Sequence, residues 1–223
     1  MRRPNFHAWP EEFGCSMTDR DKLIFDISNA VLERFVYTLP VDICGIIHAL
    51  GIRTLTAADY EQLGMTREEL FSVWGNEDGA AGRICGRDTI NYNEKKPPLR
   101  IRFTLAEELM HILLGHTADP SFGADRSYSS DTYAQYEQEA KTAAGLVFIP
   151  AQVYIRHRGA SREAIARLCN VSAACAFTTT KWYEEHLDLA MSAATSKFIQ
   201  YDRKVLKNEK KPVGVKYQNW ELF

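Results

Sequence analysis

Only one stretch of this 223-residue sequence reads as β structure. Gly82-Arg83-Ile84-Cys85 and Thr89-Ile90-Asn91-Tyr92 flank Gly86-Arg87-Asp88, the pattern of a hairpin with a tight turn. Nearly every other apolar repeat has helical spacing. The expectation is an α+β fold, rich in helix, with one small β-sheet.

Asp19 to Tyr37 is predicted helical, because Leu23, Ile27, Val31 and Phe35 recur on one face and Thr18 suits the N-cap. Val41 to Leu50 reads as a short helix stopped by Gly51. Thr66-Arg67-Glu68-Glu69 has the form of a capping box, opening a helix to about Trp74. Asn76 to Gly79 is loop chemistry. Pro97-Pro98 closes the segment after the hairpin, since neither a strand nor a helix interior accepts it. Leu99 to Leu114 then forms a helix with a wide apolar face (Phe103, Leu105, Leu109, Ile112, Leu113) and a Gly115 stop. Residues 117–130 read as loop, Asp131 to Phe148 as helix, and Ser161 to Asn170 with Ala173 to His186 as a helix pair. Residues 187–200 continue in helix. Residues 1–17 and the tail from about Lys207 read as irregular.

Composition excludes several classes. A formal net charge of −2 lacks the basic footprint of a dedicated nucleic-acid binder. The local exception, Arg203 to Lys216, reads as a solvated tail. The five cysteines form no C-x-x-C pair, so they suggest neither a disulfide framework nor a cysteine-rich zinc site. A chain this long buries a core unaided, so any metal would serve chemistry rather than folding. The N-terminus lacks the apolar core of a signal peptide, and no apolar run approaches bilayer-spanning length. The expected location is the cytoplasm.

The chemistry concentrates in Arg102 to His116. Residues four apart on a helix share a face, so Glu107 and His111 can point at one cation. Glu108 lies about 100° round the helix and could reach a water without ligating a metal. That is the logic of H-E-x-x-H, with glutamate in the first ligand position. The competing account is an amphipathic helix whose polar face happens to carry these residues. A third ligand must come from elsewhere, and Glu137 or Glu139 on the 131–148 helix could supply it. Spacing alone does not choose between them.

The run from Arg102 to His116 resembles the signature of the ImmA/IrrE metallopeptidase family, R-x-x-x-x-H-E-x-x-H-x-x-L-x-H in loose form. Glu137 to Pro150 is similar to the family's later E-x-x-A-N-x-F-A-A-x-L-L-M-P segment. Thr89-Ile90-Asn91-Tyr92 and Ser161 to Ser172 match its other landmarks, so the resemblance spans about residues 40–190. It implies a zincin-like fold and metal-assisted hydrolysis of a protein substrate. Glu108 would be the general base and Glu107, His111 and Glu137 the metal ligands, with Glu139 as fallback. The cofactor would be Zn2+, with Mn2+ or another divalent cation as the alternative. The family's substrates suggest a helix-turn-helix repressor of a mobile element or stress response as the partner. A second reading is a peptidase-fold module that binds a repressor with weakened or lost catalysis. Two departures bear on this: Glu107 stands where the family has histidine, and Lys141 and Ala143 replace asparagine and phenylalanine. A second carboxylate makes the site harder, favouring Mn2+ or Mg2+ more than a two-histidine site does. It also raises the pKa of a bound water. His116, five residues after His111, is off the ligand face and reads as a capping or supporting group, or a surface residue.

The pair at 161–186 looks like a helix-turn-helix. Its second helix offers Ala173-Ala174-Cys175-Ala176-Phe177 and three threonines rather than base-reading side chains, so packing is the expectation and direct nucleic-acid binding is not. The expected organisation is an N-terminal segment and helix (1–39), the metallopeptidase domain with this pair (40–190), and a C-terminal helix and basic tail (191–223).

Overall fold

The computed structural model describes residues 17–36, 38–119 and 130–193. The first elements are α1 (Met17–Phe35), α2 (Ile43–Ala49), β1 (Arg53–Thr56), α3 (Ala57–Gln62) and α4 (Arg67–Trp74). A hairpin of β2 (Gly79–Ile84) and β3 (Arg87–Tyr92) leads into α5 (Pro98–Leu113) and a 3-10 turn at His116–Ala118. The rest is helical: α6 (Ser130–Phe148), α7 (Ala151–Arg156), α8 (Arg162–Cys169), α9 (Ala173–Glu185) and α10 (Leu187–Ala193). The fold is α+β and helix-rich with one small sheet, as the patterning predicts.

The sheet has the order β1-β3-β2, with β3 in the middle. β1 runs parallel to β3, pairing Arg53 with Thr89 and Thr56 with Tyr92. β2 runs antiparallel to β3 and is an edge strand. Ile84 pairs with Arg87, so the hairpin loop is Cys85-Gly86. Both residues have positive φ, 51° and 73°, as a tight two-residue turn matching strand twist requires. The turn thus falls earlier than Gly86-Arg87-Asp88, and β2 begins at Gly79, where loop was expected. Gly79 suits that start: a Cβ there would lie 2.5 Å from the Asn91 carbonyl oxygen and 2.7 Å from Thr104.

β1, α3 and α7 are additions to the expected elements. β1 is too short to show a period, and its parallel partner lies across a long connection. α3 opens on a capping box, with Thr56 and Asp59 bonding each other's backbone N–H. The predicted box at Thr66 and Glu69 is present and opens α4. α1 starts at Met17, so Thr18 lies in its first turn rather than at the N-cap. α10 covers the first part of the helix expected at 187–200. Residues 1–16 of the stretch expected to be irregular (1–17), the basic cluster and the tail lie outside the described residues.

α5 supports the sheet and packs on α6, which packs in turn on α1 and α9. The α6 surface is small: Ala140, Ala143 and Ala144 are fully buried. Small side chains let neighbouring helices approach, and Ser28 of α1 donates to the Ala143 carbonyl. At Gly145 a Cβ would sit 2.3 Å from the Thr179 hydroxyl, so glycine sets the α6–α9 contact. The helix pair α8–α9 spends its inner faces on this packing, burying Ile165, Leu168, Ala176, Thr179, Thr180 and Tyr183. Among the described residues no helix is long and apolar enough to cross a membrane.

Candidate functional site

α5 carries the polar cluster into the interior. Pro98 sits in its first turn, where the missing N–H costs nothing, and Gly115 ends it in the left-handed region. Glu107, Glu108 and His111 are all buried, at 5 %, 9 % and 1 % exposure. A solvated polar face would leave these groups wet, so this burial rules out the amphipathic-surface account. Buried charges require partners, and each partner identifies a neighbouring element.

Glu108 Oε2 accepts a 2.6 Å hydrogen bond from the Ala81 N–H of edge strand β2. Burial raises its pKa to about 7, aided by Glu107 and opposed by His111 and by the Ala81 bond. Glu107 is also raised by burial, while Lys141 pulls it down.

α6 supplies the second wall. The Glu137 Oε1 lies 3.5 Å from His111 Nε2. Burial would raise the Glu137 carboxyl, but His111 and Lys141 together hold it at about 2. Glu139, two residues on, faces elsewhere. It accepts from Arg20 at 2.7 and 2.6 Å and from Gln135 at 2.8 Å, and it lies 3.1 Å from His116 Nε2. These partners hold its pKa at about 2 against burial. Of the two glutamates that spacing left open, Glu137 is the one beside His111.

His116 is buried behind His111, with their Nδ1 atoms 3.0 Å apart, and it stacks on Tyr136 at 4.2 Å. Glu139 as a carboxylate only accepts, so His116 donates to it from Nε2 and is left to accept at Nδ1 from His111, whose other ring nitrogen faces Glu137. Of the roles open to His116, the buried supporting one fits. Arg20, Gln135 and Tyr136 were not found from sequence. Arg20 in particular lies 119 residues from Glu139, with no local signal.

Glu108, His111 and Glu137 line a cleft of about 460 Å3, bounded by the whole of β2 and by Tyr60 and Trp74. A larger groove of about 750 Å3 lies among α5, α6 and α9. It is lined by Lys141 but by none of Glu107, Glu108, His111 and Glu137.

Two carboxylates and an imidazole are a reasonable donor set for a divalent cation. As placed, they are not drawn around one point: among the described residues no group of three or more His, Cys, Asp or Glu could hold a metal ion. An ammonium stands in for that cation. Lys141 Nζ lies 2.7 Å from Glu137 and 3.5 Å from Glu107.

The sequence matches the model of the M78 peptidase family, described as the IrrE N-terminal-like domain, over residues 59–176. That stretch exceeds half of the chain and holds β2, β3, α5, α6 and the whole polar cluster except Arg20. No curated protein matches the chain. The sequence signature, the sheet-and-helix frame and the matched span agree: this chain belongs to the M78 family of ImmA/IrrE metallopeptidases.

Proposed function

We propose that the chain is a cytoplasmic, metal-dependent endopeptidase acting on an extended segment of a protein partner. The observation that carries this reading is Glu108. It is a buried carboxyl with its pKa brought to about 7, set between an edge strand and the cleft floor beside His111 and Glu137. A proton acceptor works best near operating pH, and burial of this kind is how a carboxyl reaches it.

Glu107, His111 and Glu137 would hold the cation, Zn2+ first and Mn2+ as the alternative. When bound, it would supply Lewis acidity toward the scissile carbonyl. The chain's own residues do the rest. β2 lines the cleft as an edge strand, the kind of surface that an extended peptide joins through main-chain hydrogen bonds. Met65 and Val73, both exposed, give the cleft an apolar rim for the peptide's side chains. Glu108 takes a proton from the attacking water and returns it to the leaving amine. By family resemblance, the partner class is a helix-turn-helix repressor.

The test is cleavage of candidate repressors, read as new termini by mass spectrometry, with and without added Zn2+. Glu108→Gln should lower cleavage by about 10²–10⁴-fold while leaving metal content unchanged. Loss of metal on this substitution would mean that Glu108 ligates and that the roles of the two glutamates are exchanged.

A second reading has its own observation. Lys141 already pairs with both proposed ligand carboxylates, which favours a module that grips its partner without hydrolysis. It predicts metal-free protein after purification without chelator, and an intact partner in the complex.

A further inference from the structure

Lys141 follows Glu137 by one helical turn on α6, the favourable order for a Glu–Lys pair, and its ammonium reaches 2.7 Å from that carboxylate. It also spans to Glu107 on α5 at 3.5 Å. Glu107 is 7 % exposed at its side chain, and Lys141 is the largest of the influences drawing its carboxyl toward the charged form. Arg100, which also acts on Glu107, is itself bonded to Asp78 at 2.7 Å. The two carboxylates proposed as metal ligands therefore share one organic cation.

We propose that Lys141 is the resident cation of this centre, and that a divalent metal binds Glu107, His111 and Glu137 only by displacing its ammonium. This rests on the ligand assignment above and adds its regulation: the metal-free centre is latched by the chain's own charge. The exit is open. The Lys141 side chain is 45 % exposed and lines the larger groove among α5, α6 and α9, so its stem can swing into that groove without crossing the core. A cation left in place would face the incoming dication across a partly buried gap, where repulsion is screened less than in water. Neither the motif helix nor the glutamate segment alone shows this device, because the two carboxylates come from different helices.

The experiment titrates Zn2+, and separately Mn2+, into chelator-stripped full-length protein by calorimetry. The proteins are wild type, Lys141→Gln and Lys141→Arg. Removing the charge should tighten metal binding by about fivefold, equivalent to about 1 kcal/mol for a half-exposed ion pair. Lys141→Arg keeps the charge and should gain nothing. A second measurement uses wild type alone: acylation of Lys141, read by mass spectrometry, should rise when Zn2+ is added. Equal affinity in wild type and Lys141→Gln overturns the latch and leaves the peptidase reading standing. Equal gains in the glutamine and arginine variants, or acylation unchanged at saturating metal, also overturn it. Absence of metal binding in all three proteins overturns both the latch and the ligand assignment.

Discussion

Glu137 and Glu139 lie two residues apart on α6, and both are held at about 2 by cationic and hydrogen-bonding partners. Their surroundings differ in kind. Glu139 is 6 % exposed at its side chain and saturated: a two-pronged Arg20, Gln135 and His116 take up its oxygens. Glu137 is 25 % exposed, opens on the cleft, and meets one flexible ammonium and one imidazole edge. The same side chain at nearly the same place serves two purposes. A closed shell fixes position, whereas an open shell leaves a cation exchangeable. The array Arg20–Glu139–His116–His111 belongs to the first kind, and Glu107–Lys141–Glu137 to the second.

The largest expected effect separates these two shells by stability. Glu139→Ala strands Arg20 and His116 around a lost carboxylate, which should cost about 3 kcal/mol, as breaking a buried pair does. Glu137→Ala removes a partly exposed partner and should cost about 1 kcal/mol or less. Urea denaturation of metal-free protein measures both. Equal losses would mean that the open and closed shells are not distinct.

A pH series sharpens the contrast by sign. Glu139 is held below its ordinary 4.5, so its contribution to stability is complete above that value and fades as pH falls toward about 2. Glu108 runs the other way. Burial holds it at about 7, so between 4.5 and 7 the unfolded chain is ionised there while the folded one keeps its proton, and stability falls as pH rises through that window. Denaturation midpoints measured from about pH 3 to about pH 8 should show a decline at each end. Glu139→Gln should flatten the acid limb, and Glu108→Gln the limb above about pH 5. A limb that survives its own substitution would assign it to another group.

What was legible in the sequence follows from what is local. The i, i+4 pair Glu107–His111, the hairpin and the Thr66 box depend on residues within a turn of each other, so their spacing reports their geometry. The choice between Glu137 and Glu139 was not legible, because it depends on the rotation of α6 against α5, which is set by the small faces at Ala140, Ala143 and Ala144 and the Gly145 contact. Arg20 could not be read at all, since α1 meets α6 only after folding. Lys141 was visible as a departure from the family pattern, but its meaning required Glu107 to be 3.5 Å away. The two departures are opposite in charge and face each other, a relation that a one-dimensional comparison does not display.

The smallest expected effect tests that relation from the other side. Glu107→His replaces a carboxylate by a neutral imidazole, which suits zinc and removes one of the two carboxylates holding Lys141. Both changes favour zinc, while the lost negative charge opposes it for any dication. Hard Mn2+ prefers oxygen, so it gains nothing from the imidazole and suffers the charge loss in full. The expected outcome is a shift of the zinc-to-manganese affinity ratio by about tenfold toward zinc, equivalent to about 1.4 kcal/mol. Calorimetric titration of both metals into wild type and Glu107→His reads this ratio directly, and cleavage rates in each metal follow beside it. An unchanged ratio would place Glu107 outside the ligand set, as a carboxylate whose business is with Lys141 alone.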